Sequence, residues 1–315
     1  MRALAILTRS CFALVAGLVP AAARAQGGQS AAIILELPAS PRAMALGGAG
    51  TSLEGDAAIF YNPAQLATVQ RVAASLSAQR YIFSSTLGAF SAAARIGPGT
   101  AAIGVQALEY GSEDEVVPDE NFGGERGRLT GGTVDAGDLV ATLAYGVATG
   151  RMRAGVGAKV IRQRIADQSG TAPAFDIGVA VALWRGATVA AAVQNLGGSL
   201  ETGTTASPLP RVVRVGASMP YAFTPNLTLL AAVDVVVPRT SDAVPGGGIE
   251  MQWQASPGLA LIGRVGGVRV TGDDDGSPLA AGAGIAGRHL AVDYAFRSFD
   301  VVGGAMHRLG IRWWR

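Results

Sequence analysis

From Arg71 onward the chain alternates apolar and polar residues with a period of two. In residues 249–255 the apolar side chains hold every odd position, while Glu250, Gln252 and Gln254 hold the even ones. Leu290, Val292, Tyr294 and Phe296 share one parity; His289, Ala291, Asp293, Ala295 and Arg297 share the other. Near the end, Leu309, Ile311 and Trp313 oppose Arg308, Gly310 and Arg312. A period of two puts such sets on opposite faces of a sheet. Reading the pattern through predicts about 14 strands, most near the 9–11 residues that cross a bilayer at a tilt. They fall at residues 71–81, 86–96, 100–109, 138–148, 152–165, 174–184, 187–195, 211–220, 226–237, 248–255, 258–270, 279–286, 288–297 and 306–315. Their connections alternate in length. Tight turns are expected at 97–99, 149–151, 185–186, 223–225, 256–258 and 287–288. Longer loops are expected at 111–137, 166–173, 196–210, 238–247, 271–278 and 298–305, with 82–85 the short member of that set. Short turns at one end and long loops at the other are the layout of an outer-membrane barrel, and an even strand number leaves both ends of the sheet on the short-turn side.

Composition narrows the choice. Hydrophobic residues make up 49% of the 315 residues and charged ones 15%, against roughly 25% charged in a typical soluble domain. Beyond residue 25 no uncharged apolar run approaches the ~20 residues of a spanning helix. In lipid only helices and closed barrels satisfy their backbone hydrogen bonds, so the strands are expected to close into a transmembrane antiparallel β-barrel. The 44 glycines suit turns and close backbone approaches. Aromatic residues are 6%, thin for two girdles, although Trp184, Tyr221, Phe223, Trp253, Trp313 and Trp314 fall near strand ends.

Residues 1–25 read as a Sec signal peptide: Arg2 and Arg9, a short apolar core ended by Pro20, then Ala23-Arg24-Ala25 before Gln26. Cys11, the only cysteine, lies within it, so the mature chain has no thiol chemistry. Removing Arg2, Arg9 and Arg24 from the 25 basic residues leaves 22 against 23 acidic ones, which gives nucleic acid no electrostatic footprint. The expected organisation is residues 1–25 as signal, 26–70 as a plug or hatch inside the lumen, and 71–315 as the barrel.

The plug reading rests on residues 40–67, the long stretch without a strand pattern. Gly47, Gly48 and Gly50 lack the spacing and the preceding strand of a nucleotide loop. Gly47 and Gly48 instead permit close packing against a wall. Asp56 opens a short helix or turn that runs to Tyr61, and Asn62 and Pro63, followed by Ala64, form a turn signal. The segment 62–64 reads as the anchor of the plug, with a movable gate as the alternative.

These residues also carry a resemblance. The run Pro41-Arg42-Ala43-Met44-Ala45-Leu46-Gly47-Gly48-Ala49, then Asp56-Ala57 and Tyr61-Asn62-Pro63-Ala64, resembles the N-terminal signature of the PorV/PorQ family, relatives of the FadL-type barrels. Residues 155–164 with 174–178, then Val193-Gln194-Asn195-Leu196-Gly197, residues 209–216, Asp293-Tyr294-Ala295-Phe296 and His307-Arg308 resemble later blocks of that family in the same order. A departure is the ending Trp313-Trp314-Arg315, where such barrels usually finish on an aromatic residue. The resemblance implies an outer-membrane barrel of about 14 strands with an N-terminal plug, exported to the outer membrane of a Gram-negative-type bacterium and inserted by the barrel-assembly machinery. It implies transport of hydrophobic molecules, as in FadL-type members, or docking of secreted proteins in type IX secretion, as in PorV-type members. The signature is shared and does not choose between them.

Charged residues of the polar parity are expected to face the lumen, because Arg or Lys facing lipid costs ~2–4 kcal/mol near the midplane. They are Lys159 (the only lysine), Asp176, Arg214, Asp234, Glu250, Arg264, Asp293 and Arg297. Both signs occur, which favours internal ion pairs. The acidic stretch 111–137 reads as a solvated outer loop beside lipopolysaccharide, with divalent-ion binding or capture of a basic partner as alternatives. Asp273-Asp274-Asp275-Gly276 lacks the distal Glu of an EF-hand and reads as a loop tip. Two histidines and no H-E-x-x-H or G-x-S-x-G pattern argue against an enzyme, and no cofactor or metal site is expected.

Overall fold

The computed structural model describes residues 30–80, 85–120, 126–239, 241–269, 276–299 and 305–315. Residues 1–25, the expected signal peptide, residues 121–125 and Asp273 to Asp275 lie outside the described residues.

Fourteen antiparallel strands close into one barrel. In chain order they are β1 (Val72–Arg80), β2 (Thr86–Ile96), β3 (Gly99–Pro118), β4 (Gly127–Thr149), β5 (Met152–Ile165), β6 (Gln168–Ala182) and β7 (Thr188–Gly197). A separate hairpin, β8 (Ser199–Thr202) and β9 (Thr205–Pro208), follows. The barrel then resumes with β10 (Val212–Thr224), β11 (Leu227–Pro238), β12 (Val244–Ser256), β13 (Leu259–Val268), β14 (Gly276–Ala286), β15 (Leu290–Phe299) and β16 (Ala305–Trp314). Each barrel strand pairs with its neighbour in the barrel sequence, and β1 pairs with β16 from Ala73 opposite Trp314 to Arg80 opposite His307.

The alternation sorts into an outer apolar face and an inner mixed one. Leu143, Val156, Phe175, Val233, Val265 and Leu309 are among many apolar side chains left more than half exposed on the outside. Their neighbours in sequence point inward and are buried: Thr142, Asp176, Asp234, Arg264 and Arg308. A continuous exposed apolar wall over a charged interior inverts the arrangement of a water-soluble sheet and is the arrangement lipid requires.

Three connections differ from expectation. Residues 111–137 are not a solvated loop: β3 and β4 run on past the barrel as a paired hairpin, from Ser112 opposite Asp135 to Pro118 opposite Gly127. Gly111 and Gly131, both at positive φ, accommodate its register shifts. Glu113, Asp114 and Glu120 are exposed on it. Residues 166–173 are not a loop either, because β5 and β6 meet at Ala166 and Asp167. The expected loop 196–210 contains the β8–β9 hairpin, which folds inward. Leu200 and Leu209 are buried there with Leu87, Leu108, Val140 and Ile161 from the wall and Ala31, Ala32 and Ile34 from the N-terminal segment. Ala31 N donates to Pro208 O at 3.1 Å, joining hairpin and segment.

The outer face yields a test. Leu143 lies about halfway along the spanning part of β4, 65% exposed. L143R is expected to cost about 2–4 kcal/mol in urea unfolding from lipid vesicles. V116R on the projecting hairpin should change stability by less than about 0.5 kcal/mol.

Candidate functional site

Residues 30–70 are held within the wall by contacts on opposite sides. The helix α1 (Pro41–Ala45) touches β13 to β16, and a 3-10 helix at Pro63–Thr68 touches β3 to β6. The local fold follows from the residues. Ser40 caps α1 by accepting from Ala43 N through Oγ at 3.2 Å, with Pro41 in the first turn. Gly47 and Gly48, both at positive φ, end it: Gly48 N donates to Ala43 O and Gly47 N to Met44 O. This Schellman ending needs a residue that tolerates left-handed backbone. Asn62 then caps the second helix, accepting from Ala64 N at 3.0 Å through Oδ1. Its Nδ2 donates to Thr51 O at 3.1 Å within the segment and to Val179 O at 3.2 Å on the wall.

The wall is shaped for this segment. A Cβ on Gly266 would overlap the backbone of Ala45 to Gly47, and one on Gly246 would overlap Gly47. Gly155 faces the Pro63 carbonyl carbon, Gly178 the Asn62 amide, and Gly310 the Pro41 ring. Glycines on the inner faces of β5, β6, β12, β13 and β16 thus let main chain lie against main chain.

Charged side chains complete the attachment. Arg42 makes a bidentate pair with Glu250, both bonds 2.8 Å. Glu250 also accepts from Arg264 Nε at 2.6 Å, Arg264 donates to Asp293 Oδ1 at 2.6 Å, and Arg312 donates to Asp293 Oδ2 at 2.6 Å. Three guanidiniums and two carboxylates therefore form one chain from α1 to β16. Asp234 Oδ2 accepts from Gly50 N, Thr51 N and Thr51 Oγ1. Asp56 Oδ2 accepts from Ser75 and Ser91. Arg308, fully buried, donates to the Pro38 and Ala39 carbonyls at 2.5 and 2.8 Å and to Gln79 Oε1 at 3.1 Å.

A second cluster forms around a bulge between β6 and β7, where Gln194 and Asn195 stand opposite Asp176, with Asn195 at φ 58°. Lys159 Nζ pairs with Asp176 Oδ2 and donates to Asn195 Oδ1, each at 2.8 Å. Gln194 donates to Phe60 O at 3.0 Å and accepts from Arg214 Nε at 2.7 Å. The Arg214 guanidinium lies 5.6 Å from the Tyr61 ring centroid.

All eight charged residues expected at the lumen are thus on the inner side. They divide into Glu250, Arg264 and Asp293 in the first chain, Lys159, Asp176 and Arg214 around the bulge, and Asp234 alone under residues 50–51. Arg297, half-buried, donates to Ser277 O at 2.9 Å. The sequence reading left out Arg42, Gln194, Asn195, Arg308 and Arg312. The parity shared by Arg308, Gly310 and Arg312 was the available signal for two of them.

Above α1, toward the end that carries the projecting hairpin, lies a cavity of about 330 Å³, at the lower end of the ~300–1,000 Å³ range of small-molecule sites. Leu37, Met44, Val212, Val236, Val268 and Met306 supply apolar lining, and Glu36, Arg214, Asp234 and Arg297 the polar groups. Glu36 has side-chain surface open to this space, yet the surrounding protein pushes its carboxyl above the ordinary value, with Arg214 opposing the shift. A smaller space of about 60 Å³ lies on the short-turn side, bounded by Arg42, Glu54, Asp56, Ser75 and Arg312. Tyr61 lines both. Its Oη accepts from Ala39 N and Ser40 N at 2.8 and 3.1 Å, and its ring packs against Gly50, where a Cβ would overlap it.

Among solved structures, the chain is similar to the toluene transporter TbuX of Ralstonia pickettii, with a TM-score of 0.58 and 14% identity, covering 87% of this chain and 97% of the other. The CymD monoaromatic hydrocarbon channel matches with a TM-score of 0.56 and 10% identity over 87% and 97%. A Pseudomonas aeruginosa FadL homologue matches with a TM-score of 0.55 and 10% identity over 88% and 98%. At such identities the likeness establishes the fold alone, a closed 14-strand antiparallel barrel. No protein-family model and no curated protein matches the sequence.

Breaking the first ion chain should separate attachment from barrel closure. E250L leaves Arg42 without its carboxylate and is expected to cost about 3–5 kcal/mol in urea unfolding from vesicles. G266V is expected to dislodge α1 while the barrel stays closed. Its signature is new protease cleavage between residues 40 and 50 in a protein that still migrates as a folded, heat-modifiable band.

Proposed function

We propose that this protein is an outer-membrane channel for hydrophobic molecules, on the PorV/PorQ branch of the FadL-type barrels, with residues 30–70 as its plug. The observation that carries the reading is the 330 Å³ cavity with a mainly apolar lining, separated by Tyr61 from the smaller space on the short-turn side. The fold likeness to proteins described as toluene and monoaromatic hydrocarbon transporters supports it. The order of blocks quoted above supports the branch. The two spaces read as the entry and exit chambers of one interrupted path, and Tyr61 as the partition. A mixed apolar and charged lining suits a molecule with a large apolar body and a small polar group. The plug is held by polar contacts on every side, so passage requires a local shift of residues 50–61 rather than expulsion of the whole segment.

Binding and flux separate the parts of this reading. M306W fills the upper cavity and is expected to weaken binding of toluene and of a long-chain fatty acid at least tenfold, measured by tryptophan fluorescence or calorimetry on purified barrel. Y61A joins the chambers and is expected to raise uptake into vesicles several-fold, at a stability cost of about 3–5 kcal/mol that leaves the heat-modifiable barrel band in place. Purified wild type that binds neither probe, while a secreted protein co-purifies with it, would sink the transport reading in favour of docking.

A further inference from the structure

The short-turn end of the barrel carries a charge pattern that the channel reading leaves unused. Its connecting segments are 95–99, 149–153, 182–188, 222–227, 254–259 and 286–290, together with the strand ends at 70–72 and 312–315. These segments contain eight arginines and no aspartate or glutamate. Arg153 and Arg312 turn inward to Glu54 and Asp293. The remaining six, Arg71, Arg95, Arg151, Arg185, Arg288 and Arg315, are exposed, and among the described residues none of them is ion-paired. They are spread over β1, β2, the β4–β5 turn, the β6–β7 turn, the β14–β15 turn and β16, so they encircle most of the rim.

Exposed aromatic residues lie at the same height. Trp184 precedes Arg185, Trp313 stands two residues before Arg315, and Tyr221, Phe223 and Trp253 end β10 and β12 on this side. Large aromatic side chains at the ends of lipid-facing strands settle at the boundary between hydrocarbon and head groups. Arginines directly beyond them therefore sit at head-group level, where an anionic surface attracts each cation. The opposite end is mixed rather than uniformly basic: its hairpin exposes Glu113, Asp114 and Glu120 beside Arg126 and Arg128.

We infer that this rim is a binding collar for anionic phospholipid head groups of the leaflet at the short-turn end, with Arg95, Arg151, Arg185 and Arg288 as its main contacts. Guanidinium forks match phosphate oxygens bidentately, and the connecting segments carry no Asp or Glu to compete; Glu54, at the same end, is held by Arg153. The collar fixes the depth and tilt of the barrel through this leaflet, leaving the hairpin end free in solvent.

The inference rests on the membrane-spanning reading, and one experiment tests the two separately. Wild type and the variant R95Q/R151Q/R185Q/R288Q are placed in nanodiscs of mixed phosphatidylcholine and phosphatidylglycerol, and the lipids retained are counted by native mass spectrometry. Wild type should retain phosphatidylglycerol over phosphatidylcholine about fivefold or more, roughly the effect of one engaged arginine, and high salt should erase the preference. The variant should lose the preference while keeping its heat-modifiable band. A second variant, E113Q/D114Q, should leave it unchanged. Disc-embedded wild type with no preference overturns the collar alone, as does a preference that survives in the arginine variant. Wild type that stays outside the disc overturns the membrane reading and the collar with it.

Discussion

Closure of the sheet is the constraint that the rest of the structure depends on. A strand in hydrocarbon must spend every amide and carbonyl on a neighbour, and the pairing of β1 with β16 removes the last free edge. Once the sheet is closed, the two faces of each strand have separate solvents. The outer one accepts Leu, Val, Ile and Phe without cost, and the inner one becomes the only place for a charge. The interior then has to be filled, because fourteen strands enclose more space than short side chains can occupy. Residues 30–70 fill it, and the conflict between filling and closure is settled by glycine: wherever the segment presses on the wall, as at Gly246 or Gly266, the wall gives up its side chain.

The attachment of that segment uses two kinds of contact with different consequences. Main-chain packing at α1 and at Pro63 is close and short-ranged, so a shift of an ångström removes it. The ion chain through Arg42, Glu250, Arg264, Asp293 and Arg312 is longer-ranged and tolerates a change of partner, because each carboxylate already serves two guanidiniums. Buried pairs of this kind add little net stability over apolar packing, yet breaking them is expensive. They therefore fix where the segment sits more than how tightly it sits. Arg308 follows the same logic without a carboxylate, bonding the carbonyls of Pro38 and Ala39, the second of which also accepts from Ser77 Oγ on β1.

The barrel was legible in the sequence because lipid makes the alternation severe: a charge on the wrong parity is excluded, so Asp176, Arg264 and Asp293 announce the inner face by themselves. The projecting hairpin was not legible for the converse reason. Past Glu109 both faces of β3 and β4 meet water, the alternation disappears, and glycine and acidic residues dilute strand propensity. Only mutual pairing reveals it. The partners inside the lumen were equally hidden. Arg42 and Glu250 are 208 positions apart, and no local pattern links a helix residue to a strand that distant. Asn62 was legible as a cap, but its reach to Val179 was not.

The position of Tyr61 joins these threads. Its ring is seated on Gly50, its hydroxyl holds the amides before α1, and its other face meets Arg214, which is bound to Gln194 at the β6–β7 bulge. Any movement that clears this ring from between the two spaces must release the start of α1 on one side and the bulge cluster on the other. The bulge residue Gln194 thus reaches Tyr61 from the wall, through Arg214, while Asp234 reaches its neighbours Gly50 and Thr51. Arg214 and Asp234 both line the upper cavity, so a molecule held there would lie against both. On the channel reading proposed above, what occupies the cavity would bear directly on the contacts that hold Tyr61.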